Sequence, residues 1–427
     1  MEKMTEVILD NGMKVHLMEI HTAPIISHWV WYRVGSRYET RGKTGISHWV
    51  EHMQFKGTPL FPAGVLDRAI SRDGGIWNAF TYMDWTTFFE TMPSSRIDLA
   101  LVAEADRMVN SRYDPSEVAS ERTVVISERE GNENDPAFRL DEAVEEASFT
   151  THPYHNEVIG SLDDLHAIQR DDLYQYYRQY YNPSNAVLAI AGDFETQAML
   201  ARIREVYGKI PGTPVPPLIL PIEPPLAAEK HVDVHGPGET TYLNLSYRAP
   251  AASDPDFFVV SVLDSLLSGP SSLNMFGGGG ISNKTSRLYR ALVDSELAIG
   301  VYGGLQATLD PYIYSINITA RPEVEPEAII QRVDEEIARL QETRVSNDEI
   351  NRAVKQARAL FSYGSENITN QAFWLGYSEM FDTYRWFSEY VQRLQAVTPE
   401  QVMAAAQKFL NRSSRVIGTY IPERSQS

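Results

Sequence analysis

Three observations predict an α+β fold of two similar domains, each a mostly antiparallel sheet covered by helices. First, a chain of 427 residues is long for a single core and fits two domains of about 200. Second, the stretch PGTPVPPLILPIEPP at 211–225 holds seven prolines. It cannot form a regular helix or a central strand, and it reads as a stiff extended linker. Third, a helix-to-strand unit recurs. Ile168 leads through a helical segment to Asn182 and then to the apolar run 186–191; Val397 leads likewise to Asn411 and then to 416–421. Both intervals, 168 to 182 and 397 to 411, are 14 positions. The predicted division is 1–212, a linker at 213–229, and 230–427.

Within the first half, 5–17 and 25–34 read as early strands, with Asn11-Gly12 as a hairpin turn signal. Segments 66–71, 96–110, 116–132 and 163–181 read as helices, Ser116 being placed to cap the third. Tyr174, Tyr177 and Tyr181 fall on one helical face and are expected in the core. In the second half, 326–344, 347–363 and 399–409 read as helices. His231 and His235 lie in an alternating, strand-like pattern, and Pro153 separates His152 from His155. Both pairs are expected to be surface histidines rather than metal sites.

Hydrophobic content of 43% and charged content of 22% place the chain among ordinary globular proteins. No apolar run reaches the roughly 18 residues of a membrane span. The start, MEKMTEVILDNGMKV, enters strand-like sequence directly, so a cytoplasmic location is expected. The absence of cysteine excludes disulfides, thiolate zinc ligands and a cysteine nucleophile. A formal charge of −19 argues against nucleic acid as a partner and favours cationic substrates on encounter. Between Glu128 and Glu146 stand eight acids against Arg129 and Arg139. That stretch is either a negative wall that attracts basic peptides or a solvated helix and loop.

The most informative local pattern is His48-Trp49-Val50-Glu51-His52. On a helix, i and i+4 share a face, so His48 and His52 can bind one zinc ion together. Glu51 follows His48 by three positions and precedes His52 by one, which suits a general base. The order is that of the inverzincins. Ile46, Trp49, Val50 and Met53 form the opposite, apolar stripe, and Gly45 and Gly57 bracket the segment. Two polar histidines on an exposed helix face are the alternative. A third ligand is required, and Glu121 and Glu128, two turns apart on one face of 116–132, both offer a carboxylate. One would ligate, and the other could orient a ligating histidine. Spacing alone does not choose between them.

These residues resemble the pitrilysin and mitochondrial-processing-peptidase group of zinc peptidases. The stretches that carry the resemblance are GISHWVEHMQFKGT at 45–58, GGIWNAFTYMDWTT at 74–87 and ERTVVISE at 121–128, supported by GSRYE at 35–39, HPYHNEVIG at 152–160 and NPSNAVLAIAGD at 182–193. The likeness is dense in the first half and thin in the second. It implies one zinc ion per chain held by His48, His52 and Glu128, the last 76 positions after His52, with Glu121 as the further acidic residue. It implies Glu51 as the catalytic base. It assigns the 74–87 stretch to the peptide, with Trp77, Asn78, Ala79 and Phe80 as binding residues. On the residues alone that stretch is a strand that could pair with an extended peptide, or an ordinary hairpin.

The implied activity is a zinc-dependent endopeptidase that cleaves peptides or unfolded polypeptides inside a chamber. Gly277-Gly278-Gly279-Gly280 is no phosphate loop, since no G-K-[ST] follows; the resemblance links such loops to substrate handling, and a flexible surface connection is the alternative. One departure matters. Members that bind substrate with both halves carry an Arg and, about seven residues on, a Tyr, shortly after the segment matched by Arg287-Leu288-Tyr289. Here Val293 and Ile299 stand near those places. The expected partner is therefore a homologous, non-identical subunit carrying the Arg/Tyr clamp, a homodimer with a substitute clamp being the alternative. The competing function is a non-catalytic peptide-binding or core scaffold subunit of the same fold.

Overall fold

A computed structural model of the chain describes residues 4–270 and 282–423, so the glycine run at 277–280 lies outside the described residues. Contacts divide the chain into two units. The first comprises 1–130, 156–220 and 366–387; the second comprises 131–155, 221–365 and 388–427.

The first unit is built on six strands: β1 (Met4–Ile8), β2 (Lys14–Glu19), β3 (Ile25–Tyr32), β4 (Ile76–Thr81), β5 (Thr86–Pro93) and β6 (Ala186–Gly192). Their order is β1-β2-β6-β3-β5-β4, antiparallel throughout except for the parallel β2–β6 pair. The central strand β3 is apolar along almost its whole length (IISHWVWY) because both of its faces are covered. Side chains alternate across it. Trp29 and Trp31, fully buried, meet Phe373 of the helix Ile368–Tyr377 at 5.5 and 5.4 Å between ring centroids. His28 points the other way, to Tyr207 at 3.0 Å and Glu90 at 2.9 Å. The helix can lie this close only because position 376 is glycine. A Cβ there would sit 2.1 Å from the Trp31 ring.

The second unit repeats the plan with β7 (Lys230–Pro237), β8 (Tyr242–Arg248), β9 (Ala298–Leu305), β10 (Ile313–Ala320) and β11 (Arg415–Glu423). Their order is β7-β11-β8-β10-β9, with β7–β11 the parallel pair. The helix Pro136–Ser148 covers it, seating Leu140 and Val144 on Val416 and Tyr420. The recurring unit seen in the sequence is real at the level of hydrogen bonds. Gln169 and Thr398 each open a helix with a capping box, and Asn182 and Asn411 each accept a backbone N–H two residues on, just before β6 and β11.

The units are therefore not the two sequential halves. Each takes a covering helix from the other half: 366–387 joins the first unit and 131–155 the second. One of the passages between the units falls within the proline-rich stretch, since the first unit reaches Leu220 and the second resumes at Pro221. The proline-rich stretch carries no helix or strand from 211 to 226, but it is fastened at both ends. Asn182 accepts the Thr213 N–H at 3.1 Å. Glu223 accepts the amides of Thr150, Thr151 and His152 at 2.7–2.8 Å.

Most expected helices are present with shifted ends, and 347–363 and 399–409 match the residues of Asn347–Tyr363 and Pro399–Phe409. The 163–181 segment is two helices, Leu162–Ala167 and Arg170–Tyr180, because Gln169 is extended and caps the second. Ser116 is not a cap, since the helix runs Pro115–Asn132 with proline at its first position. His152 is not on the surface: it is 4% exposed and 3.1 Å from Asp310. The acids of 128–146 are not a uniform free wall. Asp135 caps the helix Pro136–Ser148, Asp141 accepts from Asn244, and Glu145 accepts from Tyr312.

Candidate metal centre

The motif lies on a short helix, Ile46–Met53, whose apolar stripe of Ile46, Trp49, Val50 and Met53 is buried to 2% exposure or less. Its N-cap is Gly45 at φ +84°, a left-handed conformation that a side chain disfavours, and a Cβ there would lie 2.3 Å from the Ile159 carbonyl. No side chain at the N-cap satisfies the first amides. Instead the buried Glu39 carboxylate accepts the N–H of Gly45 at 2.8 Å and of Ser47 at 2.9 Å. Burial pushes that carboxyl up to about 7. Sequence reasoning did not find this cap, although Glu39 closes one of the stretches singled out.

The helix Pro115–Asn132 supplies the carboxylates. Arg122 pins it: its guanidinium donates to the carbonyls of Leu165 and Ile168 and stacks over the Trp49 ring at 4.7 Å. Arg122 was also missed, since nothing local to it marks a role. With this helix in place, ligand atoms of His48, His52 and Glu128 all lie within 4.8 Å of one another. Glu128 Oε2 is 3.5 Å from His52 Nε2 and 3.9 Å from His48 Nε2. Glu121, 4% exposed, stands behind: its Oε1 is 2.9 Å from His52 Nδ1, and Lys56 pairs with its Oε2. Burial, and then the neighbouring His52, push the pKa of His48 down to about 3, so His48 is neutral. Burial pulls His52 down as well, but the Glu121 hydrogen bond and the surrounding carboxylates hold it above its ordinary value.

Glu51 is 8% exposed, and burial raises its carboxyl to about 7 despite a 2.7 Å hydrogen bond donated by Thr81. Thr81 ends β4, the edge strand of the first sheet, whose hydrogen-bonded partner is β5. Trp77 and Phe80 sit on opposite faces of β4. Trp77 packs on Phe55 at 4.8 Å, and Phe80 stacks near Phe89. Asn78 is exposed, and its side chain accepts the Ala79 amide at 2.9 Å.

The donor set fits zinc. Tetrahedral ligands at ~2.0–2.2 Å from a zinc ion stand roughly 3.4 Å apart, close to the spacings from Glu128 to the two imidazoles. Two imidazoles with one carboxylate are a three-ligand catalytic set with a position left open. Among the described residues, two other groups with ligand-type side chains are ion pairs in character. In Glu6–His16–Glu379, Lys14 Nζ sits 2.7 Å from Glu379; in Glu19–His21–Glu195, Glu19 is held by Thr196 and His21. A cavity of about 870 Å³ in the second unit is lined by Arg412, Arg415, Glu229 and Asp334, two cations paired with two carboxylates.

Known proteins match along the chain. The family described as "Insulinase (Peptidase family M16)" matches residues 14–161, and "Peptidase M16 inactive domain" matches 167–357. The chain is 29% identical over 434 residues, covering 98% of itself and 92% of the relative, to a protein of Mycobacterium leprae (strain TN) named as an uncharacterized zinc protease. It is 27% identical to the zinc protease PqqE of Helicobacter pylori, covering 87% and 82% of the two chains. It is 24% identical to a probable mitochondrial-processing peptidase subunit beta of Arabidopsis thaliana, covering 94% and 75%. Among solved structures, a protease from Helicobacter pylori superimposes with a TM-score of 0.90 at 25% identity, covering 99% of this chain and 100% of that one.

Proposed function

The chain belongs to peptidase family M16, of pitrilysin type, and from that premise we propose that it is a zinc-dependent endopeptidase acting on peptides or unfolded polypeptides. The observation that carries this reading is the convergence of His48, His52 and Glu128 within 4.8 Å, beside a buried Glu51. His48, His52 and Glu128 would hold one zinc ion. Bound there, zinc supplies Lewis-acid chemistry that polarises a scissile carbonyl and makes water more acidic. Glu121 keeps the Nδ1 proton of His52 and thereby turns the Nε2 lone pair toward the ligand group. Glu51 takes a proton from the attacking water and passes it to the leaving amine, a task matched by a carboxyl raised to about 7. The substrate lies extended along the free edge of β4, beside Trp77, Asn78, Ala79 and Phe80, with main-chain hydrogen bonds holding it and alternate pockets reading its side chains.

The same reading includes a partner. Val293 and Ile299 stand near the places where relatives carry the Arg and Tyr of the clamp, and Ile299 is 58% exposed on β9, the edge strand of the second sheet. A second, non-identical subunit of the same fold would supply the clamp to a shared chamber. The proposed location is the cytoplasm, which cell fractionation checks; among the described residues no helix is long and apolar enough to cross a membrane.

The decisive experiment is Glu51→Gln, assayed for zinc content and for cleavage of a fluorogenic peptide. The amide keeps its shape but cannot take a proton, so zinc is retained and turnover falls by about 10² to 10⁴. Near-wild-type turnover in a zinc-replete Glu51→Gln protein rejects the role of Glu51.

A further inference from the structure

We infer that Thr81 is a positioning residue for the base: its hydroxyl fixes the plane of the Glu51 carboxylate and ties that base to the strand proposed to hold the peptide. The inference rests on the peptidase reading above. Thr81 Oγ1 lies 2.7 Å from Glu51 Oε2. A hydroxyl has one proton to donate. A second hydroxyl, Thr86 Oγ1 at 3.5 Å, gives its own proton to the Val34 carbonyl at 2.9 Å. Between a carboxyl oxygen at 2.7 Å and a hydroxyl oxygen at 3.5 Å, at the outer limit of a hydrogen bond, the proton goes to Glu51.

The consequence for Glu51 follows from its own torsions. The terminal torsion of a glutamate is broad, so an untethered carboxylate samples many planes. Here one oxygen is fixed by Thr81, and the other makes no hydrogen bond to a described residue. The fixed oxygen holds the plane, and the free oxygen is the proton acceptor. Thr81 is itself stiff. It is β-branched, and its backbone is paired with Thr86 in the β4–β5 ladder. Its position on β4, three residues from Asn78, links the aim of the base to the register of the strand edge. A peptide that adds to β4 and orders it would order Thr81 as well.

Thr81→Val keeps the shape and removes the hydroxyl; Thr81→Ser keeps the hydroxyl and removes the methyl. Both are assayed on the full chain, with its partner subunit if one is required, for zinc content, kcat and KM, beside Glu51→Gln. We expect Thr81→Val to retain zinc, to lose about ten- to a hundredfold in kcat, as misplacement of a reacting group does, and to keep KM within about twofold. Thr81→Ser restores most of the kcat. A Thr81→Val protein with wild-type kcat overturns the inference, as does an equal loss in both variants, which would assign the effect to packing. Should either variant fail to bind zinc, Thr81 acts on the metal helix instead and the inference is again overturned. Failure of the peptidase reading has a different signature: the zinc-loaded parent chain, with its partner, cleaves no peptide at all.

Discussion

Glu121 Oε1 lies 2.9 Å from His52 Nδ1, while Glu128 Oε2 lies 3.5 Å from the opposite nitrogen of the same ring. One imidazole thus stands between two carboxylates of one helix, seven residues apart. The near-buried carboxylate is hydrogen-bonded to the ring, and the half-exposed one also stands 3.9 Å from His48 Nε2.

Exchange of these carboxylates separates the two roles. Glu128→Gln loses a charge and a metal bond, and zinc affinity falls by far more than in Glu121→Gln. The latter loses about 10- to 100-fold, the range for groups that orient a ligand. Competition with a fluorescent chelator measures both. An empty Glu121→Gln site beside a loaded Glu128→Gln site would show that the roles are reversed.

Metal removal should be visible in stability as well as activity. Zinc that binds only the folded chain contributes about 2.7 kcal/mol when free zinc is a hundredfold above its dissociation constant. A chelator therefore lowers the thermal midpoint by several degrees and abolishes peptide cleavage, and added zinc reverses both. His48→Ala should show neither shift, because its ligand set is incomplete. A chelator shift as large in His48→Ala as in the parent chain would place the metal elsewhere.

Glu379 gives a pH dependence of stability. Burial raises its carboxyl, but hydrogen bonds from His16 and Lys14 overcome this and hold it at about 2. A depressed folded-state pKa stabilises the fold above the ordinary carboxyl value and loses that contribution as pH falls toward 2. Glu379→Gln should therefore lower the thermal midpoint by a few degrees at pH 7, and the gap should close on acidification below about pH 3. A gap that stays constant from pH 7 to pH 2.5 would show that Glu379 acts through shape and not through charge.

The proposed partner is tested with the isolated chain. After zinc is confirmed, peptides of about ten to thirty residues, the length an enclosed chamber would admit, are assayed with and without a relative of the same fold that carries an Arg/Tyr pair. Weak activity alone, restored by that relative, is expected. Full activity from the isolated chain, with no co-purifying relative, rejects the two-subunit reading.

What the sequence by itself determined is whatever short-range periodicity controls. His48, Glu51 and His52 share a helix face, and the opposite stripe is apolar, because 3.6 residues make a turn. The helices 347–363 and 399–409 carry their own caps, Ser346 and Thr398, and so declare their ends. The repeat was legible because Asn182 and Asn411 recur at the same interval, each after a helical segment and before an apolar run. The choice of Glu128 over Glu121 came from family likeness, since two carboxylates two turns apart are equivalent on an isolated helix. Tertiary structure alone decided the rest. Periodicity says which face of a helix is buried but not which sheet buries it. The exchange of 131–155 and 366–387 between units therefore left no local mark, although Gly376 and Gly418 are the close-approach sites it requires. Glu39 capping the metal helix, Arg122 clamping the carboxylate helix on Trp49, and Thr81 holding Glu51 join residues from 6 to 73 positions apart. No pattern of neighbours along the chain encodes such contacts. They exist only once the strand edge and the two helices have been packed together, and they set where the reactive carboxylate points.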